Sequence, residues 1–448
     1  MGRVIGIDFG TTHTRVAVME EKTPVVLPND DGGQQTPSVV GFTDDHRAFV
    51  GLRAQRHSVV DPSRTISAVK RLVGQKSDAP ILRRHAEFFP YAITESDAGD
   101  AWIEVDARSY APREFAAVIL AEMRAIAERH FEQPVGDAVV TVPTFFTDAR
   151  RQAIKHAAEI AGLNVRRLIN ASTAAALTYG YHRREDATLA VVDLGGGALD
   201  VSLMEQHDGV FEVLSTAGDS ELGGRDFDHA IFDHLARGFE SETGLEVTDD
   251  PVAVQRLAAA AERAKKELSE TSTTYIAIAN LAESDGRPRD LTASLSRSTL
   301  RELTGGLVER LDAACRRALA EADLGADDVD ELLLAGGMTR MPLIRRRVEQ
   351  HFGRASSDAF DPESVVARGA AIQASLVAGE IDEFILLDVT PMSLGLRTEG
   401  DVFTEIVPPN SLIPTQETKV FTTTEDDQSV VAIEVVQGNS ERASDNTL

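Results

Sequence analysis

The sequence predicts an α/β protein made of two related lobes, and three observations carry that expectation. Two segments resemble each other at a constant offset of 185 residues, VIGIDFGTTHTRVAVM (4–19) and AVVDLGGGALDVSLM (190–204). The offset brings Asp8 onto Asp193, Gly10 onto Gly195, Val16 onto Val201 and Met19 onto Met204. Strand-like and helix-like segments alternate between them, the pattern of α/β architecture. The composition is globular, 42% hydrophobic and 26% charged over 448 residues, which excludes collagenous, low-complexity and mostly disordered chains. That length fits about three domains at roughly 150 residues each.

Each repeat reads as an apolar strand ending in Asp, a Gly-containing turn and a second apolar strand, hence a β-hairpin. Phe115, Val118, Ile119, Met123 and Ile126 form an apolar helical stripe. DAVVTV (137–142) reads as a buried strand stopped by Pro143, and 148–162 as a helix that starts near Asp148 and stops at Gly162. Residues 252–269 form another helix; ELLLAGGMTR (331–340) is a strand running into a Gly-Gly turn, with a helix from Pro342. After about residue 378 the texture changes. EIDEFILLDV (380–389) is an apolar run between acidic residues, followed by strand-like VFTEIV (402–407), TKVFTTT (418–424) and VVAIEVV (430–436). These are few strands for a closed domain, as though a β-domain were cut part-way.

Forty-five Lys and Arg against 72 Asp and Glu give a net charge of −27. Such a field repels nucleic-acid backbones and anionic membranes, so neither is an expected partner. The basic residues are 7 lysines and 38 arginines, a bias that fits a salt-adapted host or a GC-rich genome. Cys315 is the single cysteine, so no internal disulfide or cysteine-based metal site can form. No apolar stretch approaches the roughly 18 residues of a membrane helix. Asp8 interrupts the apolar run at the N-terminus too early for a signal peptide. The expectation is a soluble, cytoplasmic protein.

Neither GxxxxGK[ST] nor GxGxxG occurs, so the usual P-loop and dinucleotide fingerprints are missing. Gly-rich turns that expose backbone N–H groups can still cradle phosphates. Three are present: GTT (10–12), GGG (195–197) and AGG (335–337), two of them fed by strands ending at Asp8 and Asp193. A hydrated Mg²⁺ held by few carboxylates plus phosphate oxygens needs that arrangement.

With these turns, GIDFGTT, VTVPTFFTDARRQA, DLGGGALD, LGGRDFD, ERAKKELS, GGMTRMP and ILLDVTPMSLG run collinear over the whole chain. Together they resemble the actin/hexokinase/heat-shock superfamily and, within it, the heat shock protein 70 (DnaK-like) chaperones. LGGRDFD and ILLDVTPMSLG exclude sugar kinases and actin-like filament proteins. The resemblance implies a two-lobed actin-like ATPase fold over 1–378, with lobes of about 1–183 plus 360–378 and 184–359. An interdomain linker (379–389) and a partial β-sandwich (390–448) without a helical lid would follow.

The resemblance also implies an ATP/ADP and Mg²⁺ site. Gly10, Thr11, Thr12, Gly195, Gly196 and Gly197 would contact phosphates; Asp8 and Asp193 would hold the metal through water. Lys70 would face the γ-phosphate and the attacking water. Glu262, Lys265, Lys266 and Ser269 would clasp adenosine opposite Gly336, Gly337 and Arg340. Pro143 and Arg151 match a relay that passes nucleotide state to the linker, and Arg167, Asn170 and Asp388 match positions that meet J-domain co-chaperones. Nucleotide exchange factors are further implied partners. Leu396, Phe421, Val431 and Ile433 match an apolar pocket for unfolded or extended polypeptide.

Two departures bear on turnover. The family reads N-E-P-T where this chain has Asn170, Ala171, Ser172 and Thr173, so the glutamate that positions the lytic water is missing. It reads G-G-G-T-F-D where Ala198 and Leu199 precede Asp200, so a γ-phosphate hydroxyl is missing too. Losing one positioned acid–base group costs about 10²–10⁴ in rate. The expectation is ATP binding with slow or absent hydrolysis, Asp200 being a partial substitute. Glu399 and Thr424 replace residues that arch over the peptide, which weakens client gripping. Three readings stay open: a chaperone, a pseudo-ATPase interaction module gated by nucleotide, and an exchange-factor-like partner of another chaperone.

Overall fold

The computed structural model describes residues 3–84, 88–183, 185–284, 286–382, 384–423 and 428–447. Both predicted hairpins are present, Val4–Phe9 with His13–Glu20 and Ala187–Leu194 with Leu199–His207. Each is the centre of a six-stranded mixed sheet. In the first sheet the order is Asn164–Asn170, Asp137–Val142, Val4–Phe9, His13–Glu20 and Thr23–Val26, with Thr36–Pro37 at the side. In the second, Glu331–Ala335 lies parallel to Ala187–Leu194, and Leu199–His207 and Val210–Asp219 follow antiparallel. Strands 4–9 and 187–194 thus each have a parallel neighbour on one side and their hairpin partner on the other. The near-continuous apolar strands suit sheets covered on both faces.

Each sheet has its own core. Ile5, Ile7, Phe115, Ile119, Met123 and Ile154 are buried in the first; Val192, Val201, Phe227, Leu257, Leu311 and Ile344 are buried in the second. The stripe at 115–126 lies on helix Pro112–Phe131. The predicted helices appear as Asp148–Ile160, Pro251–Glu270 and Pro342–His351. Helices Ala171–His182 and Val365–Ala378 pack together at the seam between the sheets, where a third core joins Val139 and Ile169 to Val191 and Leu333. Their small side chains allow the close approach that this seam requires.

Of the segment 379–389 expected to be a linker, residues 385–389 form a strand. Ile385–Val389 adds parallel to Val210–Asp219 at the edge of the second sheet, and Leu412–Ile413 pairs on its outer side. Phe384 supplies the anchor, its ring 5.9 Å from those of both Phe211 and Tyr181.

The terminal β-region corrects the sequence reading. Val402–Val407 forms as expected, paired with Leu394–Thr398, which also pairs with Val435–Gln437. Residues 418–423 form no strand, Thr424 lies outside the described residues, and of 430–436 only the last two join a strand. Val420, Val430 and Ile433 are 89%, 76% and 71% exposed. Strand propensity is realised only where a partner edge and an apolar layer exist, and these residues meet neither. Among the described residues no helix is long and apolar enough to cross a membrane.

Candidate functional site

The strands that carry Asp8 and Asp193 end facing each other, and a cavity of about 600 Å³ lies between them. The turns at 10–12, 195–197 and 336–337 line it, with Asp8, Lys70, Asp193 and Asp200. Glu262, Lys265, Lys266 and Ser269 approach from helix Pro251–Glu270, and Arg340 comes from the turn after strand Glu331–Ala335. Pro143, Ala171 and Ala198 are on the same wall. Every position expected to touch phosphate, metal or adenosine therefore meets in one cavity.

The turns fit together because of their residue types. A Cβ on Gly196 would lie 2.5 Å from Thr12 Cγ2, and one on Gly197 would lie 3.0 Å from Thr11 Cβ, so the first lobe's threonines fill the room beside the second lobe's backbone. Gly336 has φ +80, and a Cβ there would press within 2.6 Å of Asp193 Oδ1.

The charges at the centre are strongly coupled. Lys70 lies in the short turn Val69–Arg71, 6% exposed, and donates to the carbonyl of Phe9. Burial lowers its pKa to about 8, against the pull of Asp8, Asp193 and Asp200. Asp193 is pushed up to about 8 by burial and then by the carboxylates of Asp200 and Asp8. Asp200 is raised by burial to about 6, opposed by the backbone N–H of Thr144, which donates to it at 3.0 Å.

At the other end, burial works to raise Glu262, but Lys266 and Lys265 outweigh it and bring it down to about 2. Lys266 pairs with Glu262 at 2.7 Å. Lys265 is committed elsewhere, donating to the Gly224 carbonyl at 2.9 Å and pairing with Asp228 at 2.8 Å. Arg340 pairs with Asp361 at 2.5 Å and Glu363 at 3.2 Å. Among the described residues no three His, Cys, Asp or Glu side chains converge as a direct metal-ligand set. Two separate aspartates beside phosphate-cradling turns suit a hydrated Mg²⁺, which keeps several waters.

From Thr144, the residue after cavity-lining Pro143, a chain of hydrogen bonds reaches the strand at 385–389. Arg151 donates to the Thr144 carbonyl at 2.9 Å and to Asn170 Oδ1 at 2.8 Å; Asn170 Nδ2 donates to Asp388 Oδ2 at 3.0 Å. Burial raises the pKa of Asp388, with Arg151 and Arg167 opposing. Of the four residues expected in the peptide pocket, Leu396 is half-buried in its sheet, while Phe421, Val431 and Ile433 lie outside any strand and are 42%, 60% and 71% exposed. Glu399 is exposed in a turn.

Three groups in or beside the cleft went unnoticed in the sequence. Arg15, across the hairpin from Asp8, pairs with it at 3.6 Å and reaches Gln35 and Glu363. His13 lines the cavity, and burial, reinforced by Arg15 and Lys266, lowers its pKa to about 4, so it is neutral near pH 7. Arg71, next to Lys70, makes a buried bidentate pair with Asp226 and donates to the Gly197 carbonyl at 3.2 Å, joining the lobes. The duplication offered a signal for Arg15, which at the offset of 185 falls on the position of Asp200 in the second repeat. A family model described as Hsp70 protein matches residues 4–448, and the chain belongs to the Hsp70 family.

Proposed function

We propose that the cleft binds ATP and ADP with Mg²⁺ and that the chain is a nucleotide-gated molecular chaperone of the Hsp70 type, its hydrolysis slow or lost. The observation that carries this reading is the single cavity in which both aspartate-ended hairpins, the third Gly turn and the Glu262–Lys266 helix face converge. Its size suits a nucleotide, within the roughly 300–1,000 Å³ of small-molecule sites. Asp8 and Asp193 would hold hydrated Mg²⁺, which supplies charge neutralisation to the phosphates when bound. The turn amides and the hydroxyls of Thr11 and Thr12 orient the phosphates, and Lys70 faces the terminal one. Glu262, Lys266, Ser269 and Arg340 surround the nucleoside.

Ala171 and Ala198 line that cavity with methyl groups. No carboxylate stands at 171 to orient water, and no hydroxyl at 198 meets the terminal phosphate. Asp200 remains as an acceptor, already held by the Thr144 amide. Single-turnover hydrolysis of pre-bound ATP tests the proposal: ATP binds and persists. A rate like that of ordinary family members overturns the slow-turnover part, and failure to bind ATP overturns the whole.

The same methyl groups favour a second reading, a pseudo-ATPase whose lobes close on ATP and present the strand at 385–389 to a partner. The Thr144–Arg151–Asn170–Asp388 chain, which begins beside Pro143, supplies the connection in both readings, with Arg167, Asn170 and Asp388 meeting a J-domain protein. Extended polypeptide would bind weakly at Leu396 and its neighbours. Turnover with and without a J-domain protein separates the two: stimulation supports the chaperone, and unaltered near-zero turnover supports the gated module.

A further inference from the structure

We infer that Arg15 is a phosphate-facing cation built into the cleft, letting this chain hold a nucleoside polyphosphate with little dependence on a divalent metal. The inference rests on the reading of the cleft as a nucleotide site. Arg15 lies on strand His13–Glu20 directly opposite Asp8, in the same place across the hairpin that Asp200 occupies opposite Asp193. Where the second lobe sets acid against acid, the first sets acid against guanidinium.

The side chain is only 10% exposed and lines the cavity. Its guanidinium is held on three sides: 3.6 Å from Asp8 Oδ2, 2.6 Å from Gln35 Oε1 and 3.4 Å from Glu363 Oε2. The other Asp8 oxygen accepts from the Thr141 hydroxyl at 3.1 Å. The carboxylate suited to a hydrated cation is therefore partnered on both oxygens before any ligand enters, so a metal must share it.

A guanidinium is always charged and offers planar paired donors to phosphate oxygens. Confined in a cleft with low-dielectric walls, it remains there when metal is removed, and the triphosphate keeps a fixed counter-charge in addition to Lys70. The opposing account is that Arg15 is a strut tying Gln35 and Glu363 to the hairpin. A strut lowers stability when removed, but weakens nucleotide binding equally with and without metal.

Isothermal titration of the full chain with ATP, in MgCl₂ and in excess EDTA, separates them. Charge-assisted hydrogen bonds set the scale: the unmodified protein loses less than about tenfold in affinity on removal of Mg²⁺, and Arg15→Met loses a further 10- to 100-fold or so in EDTA. Arg15→Lys, which keeps the charge without the fork, falls between, and melting of the nucleotide-free proteins reports folding. A loss above about a hundredfold for the unmodified protein overturns the inference without any variant. Equal weakening by Arg15→Met in both buffers also overturns it. ATP that binds in neither buffer overturns the nucleotide reading itself, whereas binding with full metal dependence leaves that reading standing and removes only the role of Arg15.

Discussion

The turn at 10–12 brings two threonine side chains to the cleft where the matching turn at 195–197 brings bare backbone, and each choice depends on the other. Thr11 and Thr12 occupy the space that a Cβ on Gly197 or Gly196 would need. Across the hairpins the contrast continues: Asp8 faces Arg15 and Asp193 faces Asp200. At the position after the turn, His13 in the first lobe stands against Ala198 in the second. The backbone repeats and the chemistry does not, as the proposed nucleotide site would require if the lobes met different parts of one ligand. Around the hairpins, the first lobe sets two hydroxyls and a guanidinium beside its aspartate, and the second sets bare glycine backbone and a second carboxylate beside its own.

The largest effect is expected at the two alanines that line the cavity, Ala171 from the first lobe and Ala198 from the second. Ala171→Glu with Ala198→Thr restores a carboxylate and a hydroxyl at the wall of the cavity. Single-turnover ATP hydrolysis is expected to rise by about 10²–10⁴, with the pair behaving as one unit rather than as two independent gains. If the unmodified chain already hydrolyses ATP at the restored rate, the two methyl groups are not what limits it.

A second test breaks the stitch that fixes how the hairpins face each other. Arg71 and Asp226 are 4% and 6% exposed, and Asp226 also accepts the Gly223 amide at 2.7 Å. Arg71→Met leaves that carboxylate buried without its cation, a loss of about 3–5 kcal/mol in unfolding free energy. Replacing both residues by apolar ones recovers most of it, since a buried pair and an apolar pair of similar volume are often nearly equivalent. Urea unfolding of the single and double variants measures this; a single-variant cost below about 1 kcal/mol would mean that the pair is open to water.

The interlocked turns make a third prediction. Gly197→Ala forces its methyl against Thr11, and overpacking of this kind costs about 1–3 kcal/mol, read as roughly 5- to 150-fold weaker nucleotide binding. Adding Thr11→Gly opens the space and restores part of the affinity, a coupling that two independent contacts would not show. Strictly additive losses would break the idea that one turn's side chains set the other's glycines.

Much of this was legible in the sequence because it is local. A strand, an aspartate, a Gly turn and a second strand are neighbours in the chain, and repetition marked them as a pair. The partners of Arg71 and Arg15 are not local: Asp226 and Glu363 arrive from segments that only the seam between the sheets brings near. Phe384–Leu387 was plainly apolar, but which edge it would join depended on strand Val210–Asp219 having an open side. The strands expected at 418–424 and 430–434 show the reverse failure. Their β-branched pattern was real, but among the described residues 418–423 and 430–434 form no strand, and their one backbone hydrogen bond to a neighbouring strand joins the Glu434 carbonyl to Arg397 N at 3.0 Å.

The smallest effect concerns how Asp8 is held. Its Oδ1 accepts from the Thr141 hydroxyl at 3.1 Å, whereas the Asp193 side chain has no such hydrogen bond among the described residues. Thr141→Val keeps the shape of that fully buried side chain and deletes the donor. A buried acceptor left without a donor normally costs the full desolvation of the group. Asp8, however, is 15% exposed at the cavity wall, so water can take the place of the hydroxyl. The expected loss is therefore about 0.5–1.5 kcal/mol, measured by urea unfolding without nucleotide. A loss of about 3 kcal/mol or more would show that water does not reach Asp8, and the two aspartates would then differ in hydration as well as in their partners across the hairpin.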